Sequence, residues 1–264
     1  MTSTGLPASF FVSEAGGYRA TELCRGPWDA GSAHGGPVAA LLGREAELFD
    51  ADPDLVTVRL TVELLRPVPL GLLRIEATTA RPGRRVRLIA LSLLHEQTEV
   101  ARATALRIVR VPADTPAPPA EAPSQMPGPG ELTPAPSLPP DGVGISDAIE
   151  LRAVHGSAIL PGPAAYWFRV QVPLVDQETI TPLTRALIVA DFGNGISSVL
   201  PIEEHVFINP DLTATLHRLP EGEWVLNDAR TWLQPGGGAV AEATLADERG
   251  PFGHAAQTLF VASR

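Results

Sequence analysis

Between residues 112 and 143 the chain carries eleven prolines, at positions 112, 116, 118, 119, 123, 127, 129, 134, 136, 139 and 140. A stretch so rich in proline can hold neither a helix nor a central strand, because each ring removes a backbone donor and clashes with the preceding helical turn. It reads as an extended tether, long for a loop inside one compact domain. The 264 residues therefore divide into a first unit at 1–111, a linker at 112–145 and a second unit at 146–264.

The two sides of the tether read alike. In the first unit Gly35-Gly36 lead into a helix over 37–49, with Pro37 suited to its first turn and Asp50-Ala-Asp-Pro53 ending it. Strand-like runs follow at 55–65, 72–80, 85–94 and 99–111, with turns at Arg81-Pro-Gly83 and His95-Glu-Gln-Thr98. In the second unit a strand at 166–175 precedes a helix that Thr181 caps and Pro182 opens, running to about Phe192. Strands are then expected at 205–208, 211–218, 224–233, 238–247 and 254–262. Residues match as well as elements. Ala40-Leu-Leu-Gly-Arg-Glu45 parallels Ala186-Leu-Ile-Val-Ala-Asp191, and Leu60-Thr-Val-Glu-Leu-Leu-Arg66 parallels Leu212-Thr-Ala-Thr-Leu-His-Arg218. Aligning the last strands sets Ala103-Thr104 against Gln257-Thr258. Three matches in one order indicate internal duplication. The expected class is α+β, a helix wrapped by an antiparallel meander, twice.

The formal net charge of -10 speaks against a general nucleic-acid partner, whose phosphates call for Lys and Arg. An anionic small ligand is still compatible, since Arg81, Arg84, Arg85 and Arg87 cluster at one predicted turn. No run approaches the roughly 20 apolar residues of a membrane span, and residues 1–11 lack the basic start and apolar run of a signal peptide. A single cysteine, Cys24, cannot form an internal disulfide, which fits a reducing cytoplasm. It is also too little for a thiolate zinc site, and no histidine pair has metal spacing, so no metal is expected.

Trp28-Asp-Ala-Gly-Ser-Ala-His-Gly-Gly36 before the first helix, Gly83-Arg-Arg-Val-Arg87 opening a central strand, and Asp211-Leu-Thr-Ala-Thr-Leu-His-Arg218 in the second unit together resemble the acyl-CoA thioesterase II (TesB-like) family. The resemblance covers both units and implies a double-hotdog fold. It also implies acyl-CoA as the substrate partner, hydrolysed to free acid and coenzyme A without a further cofactor, in a monomer or a homo-oligomer. Family members hold the hydrolytic water with an Asp, a Ser/Thr and a Gln in the second half. Carried onto this chain, those residues are Asp191, Thr213 and Gln257. Leu212 stands where the family has His, and Thr258-Leu259 where it has Glu-Gly.

The chemistry asked of these residues is plain. Hydrolysis of a thioester by water needs a general base and a place for the charge that develops on the carbonyl oxygen. Asp191 can accept the proton, while a hydroxyl and an amide at 213 and 257 offer donors and acceptors that fix the water. The first unit has Glu45, Thr61 and Ala103 at the matching places, so one working site is expected, in the second unit. Gly35 and Gly36 present backbone N–H groups at a helix N-terminus, which favours developing negative charge. In hotdog enzymes sites lie between two units, so this turn is the candidate oxyanion hole. His34, beside the turn, reads as a packing or capping residue. Arg84 and Arg85 are the candidate contacts for the coenzyme A phosphates, alongside the plain reading of a solvated hairpin end.

Three other functions are weighed against this one. A serine hydrolase would need a Gly-x-Ser-x-Gly elbow, which the chain lacks. A hotdog hydratase would need an Asp/His pair in an Asp-x-Asn-Pro-x-His segment, of which Ile208-Asn-Pro-Asp-Leu212 supplies only the Asn-Pro. A non-catalytic acyl-CoA-binding protein fits the same residues.

Overall fold

The computed structural model describes residues 5–111, 126–136 and 142–264. In chain order its regular elements are β1 (Phe11–Glu14), β2 (Gly17–Ala20), α1 (Gly35–Phe49), β3 (Leu55–Leu64), β4 (Leu72–Arg81), β5 (Val86–His95), β6 (Thr98–Val109), β7 (Ile149–His155) and β8 (Ala164–Val170). Then come α2 (Pro182–Ala190), the single turn α3 (Gly193–Ile196), β9 (His205–Ile208), β10 (Asp211–Leu216), β11 (Trp224–Leu233), β12 (Gly238–Asp247) and β13 (Gly250–Ser263).

All the strands join one sheet, in the order β1-β2-β4-β5-β6-β3-β10-β13-β12-β11-β8-β7, with β9 paired to β13. Read outward from the central β3–β10 pair, the two wings have the same construction. β1–β2 before α1 corresponds to β7–β8 before α2; of these four strands the sequence patterns marked only β8, expected at 166–175 and found at Ala164–Val170. The central register is symmetric too: Thr61 faces Thr213, Val62 faces Leu212 and Leu60 faces Ala214. With Thr61 equivalent to Thr213, exchanging the wings maps each of these pairs onto another, so a pseudo-two-fold axis passes through the threonine pair.

That axis corrects one alignment. Thr61 pairs with Thr104 of β6, and Thr213 pairs with Ala256 of β13. Ala256 therefore corresponds to Thr104, and Gln257 to Ala105 rather than to Ala103. The consequence stands, because neither alanine supplies an amide.

Both helices lie against the inner face of the sheet. Strand alternation makes that face apolar: in β10, Leu212, Ala214 and Leu216 are buried while Thr213 and Thr215 point outward. The resulting core is continuous across both wings, with Leu41 and Leu42 of α1, Leu187 and Ile188 of α2, Leu60, Leu212 and Phe252 in one cluster. α1 and α2 pack antiparallel at close range. A Cβ on Gly36 would stand 2.5 Å from the Ile188 carbonyl oxygen, so only glycine lets the start of α1 meet the end of α2.

Parts of the expected tether are seated on the second wing. Trp167 Nε1 donates to the Pro127 carbonyl, Ala135 N donates to Leu151 O, and Met126 and Leu132 pack against Ala165, Trp167 and Leu226. Residues 112–125 and 137–141, where much of the proline lies, fall outside the described residues. Among the described residues, no helix is long and apolar enough to cross a membrane.

Candidate active site

The site forms where the N-terminus of α1 meets the C-terminus of α2. Asp191 is the C-cap of α2, and its carboxylate is buried. The helix end is held by Asn227, whose Nδ2 donates to Val189 O at 2.9 Å. Gly35 makes room for the acid, since a Cβ there would lie 2.7 Å from Asp191 Oδ2. A carboxylate at the start of α1 is favoured by the partial positive charge of that helix end.

Two amides orient the carboxylate. Gln257 Nε2 donates to Asp191 Oδ1 at 2.8 Å and to the Asp191 carbonyl at 3.1 Å, while its Oε1 accepts the Asn194 N–H at 3.0 Å. This network is buried and joins residues 66 apart in sequence. Asn209, between β9 and β10, donates from Nδ2 to the same Oδ1 at 2.9 Å. Oδ2 lies 2.9 Å from His34 Nδ1. The His34 ring stacks on Phe192 with centroids 4.7 Å apart.

The structure thus brings Asp191 and Gln257 together and sets Thr213 apart. Thr213 projects from the outer face of β10, where its hydroxyl donates to Thr61 Oγ1 at 3.3 Å. Alternation decides this: Leu212 and Gln257 face the helices, so the neighbouring Thr213 must face away. The third group at the acid is Asn209 instead. Its trace in sequence was the Asn-Pro that precedes β10. We therefore expect Asn209→Ala to lower turnover about ten-fold or more, the weight of one hydrogen bond to a charged group. Thr213→Val should leave turnover unchanged; steady-state kinetics on one thioester would show the reverse if the hydroxyl were the working group.

The glycine pair lies where expected, with the Gly36 nitrogen 3.0 Å from His34 Nδ1, within hydrogen-bond reach of it. Arg84 and Arg85 are exposed in the β4–β5 turn. Arg87, two residues on, pairs with Asp50 and Asp52 beyond the C-terminus of α1. That places the turn near the far end of a 15-residue helix, about 20 Å from Gly35 by helical rise, so these arginines do not meet the acid. The duplicate position in the first wing is spoken for: Glu45 accepts from Tyr18 Oη at 2.8 Å and pairs with Arg44. Thr181, not a glycine pair, opens the helix on that side.

Two open concavities lie elsewhere. Depressions of about 620 and 370 Å³ lie on the outer sheet face, lined by Thr213, Thr215 and His254 in one and by Thr61, Glu63 and Arg102 in the other. No residue of the Asp191 junction lines either depression. Cys24 takes no part: it is buried, its Sγ lies 3.0 Å from Phe10 O, and burial pushes the thiol well above its ordinary range.

Solved structures resemble the whole chain. A hot dog fold protein of unknown function from Alicyclobacillus acidocaldarius is 16% identical, with 97% of each chain covered and a TM-score of 0.74. The acyl-CoA thioesterase II TesB2 from Mycobacterium marinum is 16% identical, covering 95% of this chain and 94% of its own, with a TM-score of 0.65. The tesB protein of Mycobacterium avium subsp. paratuberculosis is 14% identical over 93% and 92% of the chains, with a TM-score of 0.66. At these identities the likeness establishes the fold, and the protein is of the hotdog class. Among curated protein sequences none matches significantly. The profile of the acyl-CoA thioesterase C-terminal domain matches residues 119–261, and that of the N-terminal domain residues 24–108. The chain belongs to the acyl-CoA thioesterase family.

Proposed function

We propose that this protein is a double-hotdog acyl-CoA thioesterase that hydrolyses its substrate through a water activated by Asp191. The observation that carries the reading is the buried carboxylate held by Gln257 and Asn209 against the start of α1. A carboxylate has about four lone-pair positions. Two on Oδ1 are taken by the amides and one on Oδ2 faces His34, which leaves one on Oδ2 for a water proton.

The steps follow from that arrangement. Water gives a proton to Asp191 as its oxygen bonds to the thioester carbon, and the carbonyl π pair moves onto oxygen near the positive end of α1. When that pair returns, the C–S bond breaks and Asp191 gives its proton to the leaving thiolate. The groups are restored: water and the thioester are consumed, and free acid and coenzyme A leave. We take the chain to work in the cytoplasm, as a monomer or a homo-oligomer.

The test is thiol release from a panel of short, long, branched and aromatic acyl-CoA thioesters, followed with a thiol-reactive dye. Turnover of at least one is expected. Silence across the panel, with acyl-CoA binding retained, would replace the hydrolase by a non-catalytic binder.

A further inference from the structure

His34 Nδ1 has more neighbours than it can serve. It is 2.9 Å from Asp191 Oδ2 and 3.0 Å from the Gly36 nitrogen. A ring nitrogen offers one in-plane position, either a lone pair or an N–H. With the lone pair it accepts from Gly36, and it then sets a second lone pair against the carboxylate. With the proton it donates to Asp191, and the Gly36 N–H is released. A half-turn of the ring keeps its stack on Phe192 but sets Cδ2 in place of Nδ1, which serves neither neighbour, so rotation does not resolve the conflict.

We propose that His34 is a positioning residue whose Nδ1 proton couples the base to the oxyanion donor. A hydrogen bond to an ionised acceptor is roughly twice as strong as a neutral one, so Asp191 wins the Nδ1 proton. In that state His34 holds Oδ2, and the Gly36 amide, at the N-terminus of α1, is free to receive the carbonyl oxygen. The His34 proton does not travel during the reaction. Loss of the carboxylate reverses the arrangement and closes the amide. The assignment to a thioester oxygen rests on the thioesterase reading; the exchange of partners at Nδ1 does not.

The experiment therefore has two arms. Nitrogen-15 NMR of imidazole-labelled protein should show Nδ1 carrying the proton in wild type, and Nε2 carrying it in Asp191→Ala, with no substrate present. The same tautomer in both proteins overturns the coupling, whether or not the chain hydrolyses anything. In the kinetic arm, His34→Phe retains the stack on Phe192 but loses the shared atom. It leaves the Gly36 amide free but removes the donor to Oδ2, and should cost about ten-fold in kcat, the weight of one hydrogen bond to a charged group, with KM little changed. His34→Asn places an amide at the Nδ1 position and should recover most of that rate. Equal losses in the two variants, in proteins that unfold at the wild-type urea midpoint, would leave His34 a packing residue.

Discussion

Asp191→Asn is expected to lower kcat about a thousand-fold, the middle of the range for removing a general base. The amide is nearly isosteric and can keep its oxygen toward Gln257 Nε2 and Asn209 Nδ2, so the buried network stays satisfied. What disappears is the ability to take a proton from water. KM should hardly move and the urea midpoint should stay near that of wild type. Glu45→Gln is the matching control, because Glu45 occupies the equivalent place in the first wing but is spent on Tyr18 and Arg44. It should leave kcat intact. Turnover by Asp191→Asn within ten-fold of wild type would move the base to another residue.

The contrast between these two acids shows how far the sequence could be read. Duplication was legible because elements repeat in order, and β9, β11 and β12 fall at the residues expected. β1 and β2 were missed because strands of four residues carry too little alternation to stand out from turns, and the seven-residue β7 was missed as well. The resemblance named Asp191 and Gln257, which the fold brings together, and Thr213, which it sets on the opposite face of the sheet. Alternation of Leu212, Thr213, Ala214 and Thr215 already signalled an outward threonine. Asn209 escaped because it precedes the strand, where periodicity gives no direction. Its role depends on a loop path that only tertiary packing sets. The Gly36–His34 contact lay beyond any sequence pattern, since it turns on which of two neighbours one nitrogen serves.

The His-Arg pair at the end of the central strand pattern has a different office from the site. Arg218 is expected to be the chain's most sensitive charged residue for stability. Its Nη2 donates to Asp247 Oδ1 and to the Gly250 carbonyl, both at 2.7 Å, and Nη1 pairs with Oδ2. The Asp247 side chain is fully buried and also accepts the Glu221 and Arg249 N–H groups at 2.8 and 2.9 Å. Arg218→Met keeps most of the stem volume and leaves this charge without a cation. The cost should be about 3 kcal/mol, the low end for breaking a buried pair, because two backbone donors remain. Burial by itself raises the Asp247 carboxyl, but Arg218 and the two N–H groups outweigh it and hold the group below its ordinary value. A depressed carboxyl stabilises the fold above its unfolded pKa of about 3.9 and loses that contribution as pH falls toward the folded value. The gap between wild type and Arg218→Met should therefore be full at neutral pH and narrow below about pH 4. Urea unfolding across that range measures it. A gap independent of pH would assign the loss to packing of the arginine stem over the Phe252 ring, 5.8 Å from the guanidinium, and not to the ion pair. Asp247→Asn added to Arg218→Met then separates the two: it removes the stranded charge yet keeps an oxygen for the Glu221 and Arg249 N–H groups, so it should recover stability if the charge is the cause.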